Sequence, residues 1–157
     1  TFLDPTANPA TTGYNVKQAI IAVGSGGWFG QGLGSGSQSQ GNFLPSQHTD
    51  FIFAVLAEKL GFIGGLITLG IFGLLFLRCF WISKLSPDRF GSFMVVGLVS
   101  MLLFHVFINV GMNLGIMPVT GIPLPIISAG GSSMLVGMFG IGVIQSVYMR
   151  RKKREFV

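Results

Sequence analysis

An acidic residue, Asp50, ends the polar stretch LPSQHTD and is followed directly by a long apolar run. With His48 and Thr49 beside it, Asp50 has the chemistry of a general base, which takes a proton from a reacting hydroxyl. The same position suits a helix N-cap or a first-turn acid, because the helix dipole favours negative charge there. The residue types alone leave both roles open.

Three polar residues, His105, Asn109 and Asn113, recur every four positions within another apolar run. At about 100° per residue they form one stripe along a helix. Polar groups surrounded by lipid need partners, so the stripe predicts either hydrogen bonds between helices or contact with a substrate or ion. Glu58 and Lys59 present a similar choice between structural pairing and chemistry, because ionisable groups in membrane segments are often functional.

A glycine-rich segment, residues 24–36, reads GSGGWFGQGLGSG. This composition is typical of a flexible loop, although backbone N–H groups in such a segment can also cradle phosphates. The segment lacks the fixed spacing of a nucleotide-binding loop. Trp28 and Phe29 within it are the kind of residue found at a membrane interface.

A second unusual segment, residues 118–133, reads PVTGIPLPIISAGGSS. Pro123 and Pro125 fix an extended or turning backbone. Small and polar residues follow, and they either bring backbone N–H groups near an anionic head group or permit tight helix packing. These residues are Ser128, Gly130, Gly131, Ser132 and Ser133.

The composition indicates a membrane protein. Of the 157 residues, 50% are apolar and 10% are charged, whereas a soluble domain carries about 25% charged residues. Cys79 is the only cysteine, which excludes a disulfide within the chain. The net charge of +5 does not indicate nucleic-acid binding, because half of the basic residues form one run directly after an apolar segment.

The pattern predicts an all-α polytopic membrane protein with transmembrane helices at 51–82, 93–117 and 126–149. Eight of the ten Lys and Arg residues lie in or beside the 83–92 loop and the 150–157 tail. By the positive-inside rule, both segments are cytoplasmic. Residues 1–50, with short interfacial helices, and the 118–125 loop are then extracytoplasmic.

Several sequence blocks resemble the SEDS proteins (shape, elongation, division, sporulation), the family of RodA and FtsW. The blocks are HTDFIFAVLAE and GIPLPIISAGGSS, and the stretch GSQSQGNFLP is closer to the RodA branch. The resemblance covers nearly the whole chain. Three positions depart from the family pattern: Ala129 replaces a tyrosine, and Asn42 and Lys59 stand where relatives often carry acids.

This resemblance implies that the chain is the C-terminal portion of a larger helix bundle, a large outer loop plus three transmembrane helices, and inactive alone. It implies a peptidoglycan glycosyltransferase of the bacterial inner membrane that polymerises lipid II into β-1,4 glycan strands and releases undecaprenyl pyrophosphate, for cell-wall elongation and cell shape. A precursor transporter and a non-catalytic scaffold for a transpeptidase are the alternatives. The expected partners are lipid II, a class B penicillin-binding protein and membrane lipids, without nucleic acid.

The resemblance also assigns roles to residues. Asp50 is the catalytic base, or it binds a divalent cation, Mg²⁺ or Mn²⁺, because hard cations prefer carboxylate oxygens. No organic cofactor is expected. The expected substrate contacts are His48, Thr49, Lys17, Glu58, Lys59, Pro123, Pro125, Ser128, Gly130, Gly131 and Ser132.

Overall fold

The computed structural model describes residues 12–32 and 49–150 of the chain. The described residues form four α-helices and no strand: α1 (Thr12–Ser25), α2 (Ile52–Leu85), α3 (Arg89–Asn113) and α4 (Gly131–Met149). The prediction of an all-α fold is therefore confirmed. His48 and most of the basic tail lie outside the described residues.

Three of these helices, α2, α3 and α4, are long and apolar enough to cross a membrane. The shortest, α4, has 19 residues and is therefore about 28 Å long, close to the ~30 Å thickness of a bilayer's hydrocarbon core. Large apolar side chains such as Leu74 and Phe139 are exposed on the helix surfaces. Such surfaces suit contact with lipid or with further helices.

The helices run alternately up and down. The start of α2 contacts the end of α3, where Asn113 donates to the Asp50 carbonyl. The start of α3 contacts the end of α4, where Gly91 lies against Val147. The bundle therefore has an Asp50 end and an opposite basic end. The basic end carries Arg78, Lys84, Arg89 and Arg150.

The helix boundaries differ from the predicted spans at three places. Helix α3 ends at Asn113 rather than near 117, because Gly115 adopts a positive φ of 73° and Pro118 follows. Helix α4 begins at Gly131 rather than 126, because the two prolines and the positive φ of Ile126 keep the preceding chain out of helical geometry. The α2–α3 connection shrinks to Ser86-Pro87-Asp88.

Two apolar clusters hold the bundle together. The larger joins α2, α3 and α4 through buried side chains that include Phe72, Val99 and Ile144. The smaller packs Ala19 and Ala22 of α1 against Phe51 and Ala54 at the start of α2. Alanine at these positions lets α1 approach α2 closely, which fixes the chain directly after Asp50.

Helix α2 is broken at Gly61, whose φ of 72° and ψ of −170° are not helical. Only glycine adopts this conformation readily. The break removes partners from backbone groups on both sides of it. Inside a membrane such groups must find partners in the protein.

Residues 26–32, here called the glycine segment, supply these partners. The backbone N–H groups of Gln31 and Gly32 donate to the carbonyls of Glu58 (3.0 Å) and Lys59 (3.1 Å). In return, the N–H groups of Phe62 and Ile63 donate to the carbonyls of Gly27 (2.8 Å) and Trp28 (3.3 Å).

Residues 26–32 therefore do not form the flexible loop that their composition predicts, because this backbone completes the hydrogen bonding of α2, and the N–H groups of Gln31 and Gly32 are engaged there rather than free for a phosphate. The approach is so close that a Cβ atom on Gly61 would overlap the Gly30 backbone. Trp28 and Phe29 remain 70% and 84% exposed, with Trp28 edge-on to Phe62 at a centroid distance of 5.4 Å.

We predict that Gly61→Ala destabilises the protein, because the backbone conformation alone costs about 1–3 kcal/mol and the new methyl group displaces the glycine segment. Gly70→Ala in the same helix meets no atom within 4 Å and has helical geometry, so it should be neutral or slightly stabilising. Thermal unfolding of the two purified variants compares them. Equal melting temperatures would contradict the role given to the break.

Candidate active site

The backbone of Thr49 and Asp50 is held by side chains from two other parts of the chain. Asn109 and Asn113 of α3 donate from Nδ2 to the Asp50 carbonyl, at 2.9 and 3.2 Å. Ser128, between α3 and α4, donates from Oγ to the Thr49 carbonyl at 2.8 Å. These three side chains are here called the clamp.

The two asparagines form one buried network. Asn109 also donates to the Ile122 carbonyl at 2.8 Å, and Asn113 donates to the Asn109 carbonyl at 2.8 Å. Both side chains are fully buried. For this pair the structure supports the first alternative of the polar stripe, hydrogen bonding between segments, and it specifies the partner as the backbone that carries Asp50.

Ser128 is presented by a tight turn in the segment between α3 and α4. Its own N–H donates to the Leu124 carbonyl at 3.0 Å, and Ile127 N–H donates to the Pro125 carbonyl at 2.8 Å. Ile126 in this turn has a φ of 70°, which is uncommon for a β-branched residue. Its side chain packs against the larger apolar cluster, which holds the turn in place.

The Asp50 side chain is half-buried and does not cap α2. The N-cap position is Phe51, without a side-chain cap bond, and the first turn of α2 contains no acid. The N-cap and first-turn alternatives are therefore wrong. Asp50 Oδ2 instead faces Gly121, lying 3.6 Å from the place where a Cβ of that residue would be. Asp50 thus has a fixed backbone and a side chain that is only partly covered by the protein.

A cleft of about 320 Å³ opens between α3 and α4 near this site. The remaining member of the polar stripe, His105, lines it, so this residue is separate from the asparagine network. The other lining residues are Pro123, Pro125, Ser132, Ser133, Met101, Leu102, Val136 and Gly137. We call it the His105 cleft. It shares with Asp50 the segment at 121–128, because Asn109 bonds both the Asp50 and the Ile122 carbonyls.

The predicted substrate contacts fall into separate groups. Pro123, Pro125 and Ser132 line the His105 cleft, and the exposed Gly131 begins α4 beside them. Gly130 is half-buried and its carbonyl accepts from Ser133 Oγ at 2.8 Å. Ser128 is only 3% exposed and, as part of the clamp, donates to the Thr49 carbonyl.

The other predicted contacts lie on α1 and at the start of α2. Lys17 is on the exposed face of α1. Glu58 is fully buried and Lys59 half-buried, and their carbonyls meet the glycine segment. Thr49 is half-buried, with its carbonyl in the clamp. The sequence patterns did not connect Asn109, Asn113 or Gly121 with Asp50. The four-residue spacing indicated that the asparagines need hydrogen-bond partners. No local pattern in the sequence identified the Asp50 carbonyl as the partner.

Comparison with known proteins fits this arrangement of motifs. The profile of the FtsW/RodA/SpoVE family, described as cell cycle proteins, matches residues 1–153. The chain belongs to this family. The resemblance seen in the HTDFIFAVLAE and GIPLPIISAGGSS blocks is confirmed, and both blocks contribute residues to the clamp or its target.

Relatives in the family carry enzyme names. The chain is 49% identical over 151 residues to "Peptidoglycan glycosyltransferase MrdB" of Escherichia coli K12, covering 96% of this chain and 41% of MrdB. It is 45% identical over 150 residues to "Peptidoglycan glycosyltransferase RodA" of Treponema pallidum, covering 96% of this chain and 35% of that protein. The chain therefore spans about two fifths or less of these relatives.

A solved structure has the same fold. It is described as "Structural coordination of polymerization and crosslinking by a peptidoglycan synthase complex" and matches with a TM-score of 0.75 at 34% identity. The match covers 97% of this chain and 40% of that one. The bundle described above is thus a family fold.

We predict that Asn109→Ala lowers the free energy of unfolding by about 1–3 kcal/mol, because the Ile122 carbonyl loses its side-chain donor and the Asp50 carbonyl keeps only the one from Asn113. Ser100→Ala, at an exposed position of the same helix, should change the free energy of unfolding by less than about 0.5 kcal/mol. Thermal unfolding measures both variants. If Asn109→Ala and Ser100→Ala have the same melting temperature, the clamp does not stabilise the fold.

Proposed function

We propose that the protein containing this chain is a peptidoglycan glycosyltransferase that polymerises lipid II for cell-wall elongation and cell shape. The observation that carries the proposal is Asp50, a half-buried acid on a clamped backbone at one end of helices suited to a membrane. Relatives named peptidoglycan glycosyltransferases support it. The complete protein is required, because three spans alone do not enclose a groove for the substrate.

The proposed reaction is a single displacement. The 4-hydroxyl of the acceptor sugar attacks the anomeric carbon of the donor, and the bond from that carbon to the pyrophosphate oxygen breaks. The α-linked donor becomes a β-1,4 product, and undecaprenyl pyrophosphate leaves. Asp50 takes the proton of the attacking hydroxyl. Positioned proton transfer of this kind contributes about 10²–10⁴-fold to the rate.

The clamp gives this base its precision. Catalytic groups work best when held within about 0.5 Å of the productive geometry. Asp50 lies directly before α2, outside its helical geometry. Three hydrogen bonds to the Thr49 and Asp50 carbonyls hold the backbone here and leave the carboxylate outside the clamp. Asn109, Asn113 and Ser128 are therefore proposed as positioning residues.

We further propose that the His105 cleft receives the phosphate-bearing part of a substrate. His105, Ser132 and the N-terminus of α4 offer hydrogen-bond donors, and the helix dipole favours an anion there. Pro123, Pro125, Gly130 and Gly131 shape this site. Thr49, His48, Lys17, Glu58 and Lys59 remain proposed contacts for other parts of the substrate.

A divalent cation is a further proposal for Asp50. Among the described residues, no group of three or more His, Cys, Asp or Glu side chains could hold a metal. This donor set fits Mg²⁺ or Mn²⁺ only when substrate phosphates and water complete the coordination, as is common for Mg²⁺. Bound in that way, the cation would neutralise charge on the departing pyrophosphate.

The membrane placement follows from charge. We propose that the basic end faces the cytoplasm of a bacterial cell with the inner membrane around the helices, which puts Asp50 at the extracytoplasmic surface. A class B penicillin-binding protein is the proposed partner, because the structural relative belongs to a complex that coordinates polymerisation with crosslinking. Lipid II and membrane lipids are the other proposed partners.

We predict that Asp50→Asn in the full-length protein lowers lipid II polymerisation by about 10²-fold or more, since the amide cannot accept the proton. Asp88→Asn is the matched control, because Asp88 lies at the basic end and outside the proposed machinery. Gel analysis of glycan strands made from purified lipid II measures both. Unchanged synthesis by Asp50→Asn would remove this residue from catalysis.

The alternatives from the sequence give different outcomes. A transporter lined by the polar stripe would need accessible asparagines, but Asn109 and Asn113 are fully buried. A scaffold would bind its transpeptidase and yet show no polymerisation in the presence of that partner. Neither has an observation in its favour among the described residues.

We predict that Ser132→Trp raises KM for lipid II, because the larger ring fills the mouth of the His105 cleft. Ser100→Trp, at an exposed position of α3 outside the cleft, serves as the control for adding an indole. Initial rates at varied lipid II concentration separate KM from kcat. Identical KM values for the two variants would rule out this cleft as a substrate site.

A further inference from the structure

The basic end of the bundle contains an arginine held by aromatic rings. The Arg78 guanidinium lies 4.7 Å from the ring centroid of Trp81 and 5.8 Å from that of Tyr148. Trp81 belongs to the next turn of α2, and Tyr148 comes from the end of α4. Cation–π contacts of this kind hold Arg78 across the junction of the two helices.

The charge of Arg78 is not neutralised by a carboxylate among the described residues. Asp50 and Glu58 belong to the opposite half of α2, and Asp88 lies in the α2–α3 connection, where it lines a different cavity with Arg150. Lys84 and Arg89 add further positive charge at this end. The described surface around Arg78 is therefore cationic and lacks an acidic partner for it.

A cleft of about 310 Å³ lies directly beside this arginine, between α2 and α4. We call it the Arg78 cleft. Its walls are apolar side chains from both helices, Leu75, Ile82, Ile141 and Ile144, together with Cys79. Its polar lining consists of Arg78, Gln145 and Tyr148. The cleft thus combines apolar walls with a cation and neutral hydrogen-bonding groups.

We propose that the Arg78 cleft binds an anionic phospholipid. Its phosphate accepts hydrogen bonds from the guanidinium and from Gln145, and one acyl chain lies along Leu75, Ile82 and Ile141. Arginine suits this role because its planar fork donates two parallel hydrogen bonds to a phosphate and stays charged. This inference is independent of the proposed glycosyltransferase activity and concerns the opposite end of the bundle.

The apolar walls select a lipid over a soluble phosphate. A free phosphate would satisfy Arg78 and leave the walls uncovered, whereas a phospholipid covers them and neutralises the charge together. Both helices that form the cleft are long and apolar enough to cross a membrane, the setting in which a phospholipid is at hand. Charge complementarity selects an anionic head group over a zwitterionic one.

The test uses the purified full-length protein, stripped of lipid in detergent. Dioleoylphosphatidylglycerol and dioleoylphosphatidylcholine are added separately, and bound lipid is counted by native mass spectrometry. Glycerol phosphate is added as a water-soluble competitor. The variants are Arg78→Gln, which removes the charge, and Ile141→Trp, which fills the cleft and keeps the Arg78 charge. Lys84→Gln is the matched control, because it removes a charge from the same end outside the cleft.

We expect the unmodified protein and Lys84→Gln to retain phosphatidylglycerol in preference to phosphatidylcholine. Arg78→Gln should bind phosphatidylglycerol roughly fivefold more weakly, the effect of one cationic contact with an anionic lipid. Ile141→Trp should lose the bound lipid with its charge intact, and glycerol phosphate should not compete.

Three results would overturn the proposal. Equal losses in Arg78→Gln and Lys84→Gln would indicate general surface charge. Competition by glycerol phosphate would indicate a phosphate site. Full retention by Ile141→Trp would show that the cleft is not occupied. Melting temperatures without added lipid verify that each variant is folded. If only one of Arg78→Gln and Ile141→Trp folds, its lipid binding alone decides whether the cleft is the binding site.

Discussion

Three side-chain donors on two backbone carbonyls are the constraint on which the candidate site depends. Asn109, Asn113 and Ser128 reach the carbonyls of Thr49 and Asp50 from α3 and from the turn before α4. The base proposed at Asp50 needs at least one carboxylate oxygen free for the incoming hydroxyl. Holding the backbone instead solves this problem, and it makes the orientation of Asp50 a property of the whole bundle.

The clamp also explains why the segment between α3 and α4 is irregular. That segment must bring the Ile122 carbonyl to Asn109 and the Ser128 hydroxyl to Thr49, and neither position fits a helix continuing from α3. The positive φ of Gly121 places this residue against the Asp50 carboxylate, and the strained Ile126 is kept in place by apolar packing. The cost of the strain is met by the core that surrounds it.

Local patterns in the sequence predicted much of this architecture. Uncharged runs predicted three membrane-length helices, and the structure contains them. The spacing of Asn109 and Asn113 predicted a need for hydrogen-bond partners, because buried amides require them. The identity of those partners could not be predicted, since residues about sixty positions apart in the chain meet only in the folded bundle.

The break at Gly61 was unpredictable for the same reason. Gly61 looks like many other glycines in this chain, and its conformation depends on the approach of a segment some thirty residues earlier. The start of α4 was misplaced for a different reason. Apolar residues at 126 and 127 extend the hydropathy signal, while the turn geometry that excludes them from the helix involves Ser128 and its distant partner.

The pairing of the glycine segment with α2 has a consequence for how the chain can vary. Because Gly32 and Thr49 are both anchored, by backbone bonds to Lys59 and by Ser128, the stretch joining them starts and finishes at set points. Gly30 and Gly61 are then positions that tolerate no side chain, because a Cβ atom on either would meet the backbone of the other segment.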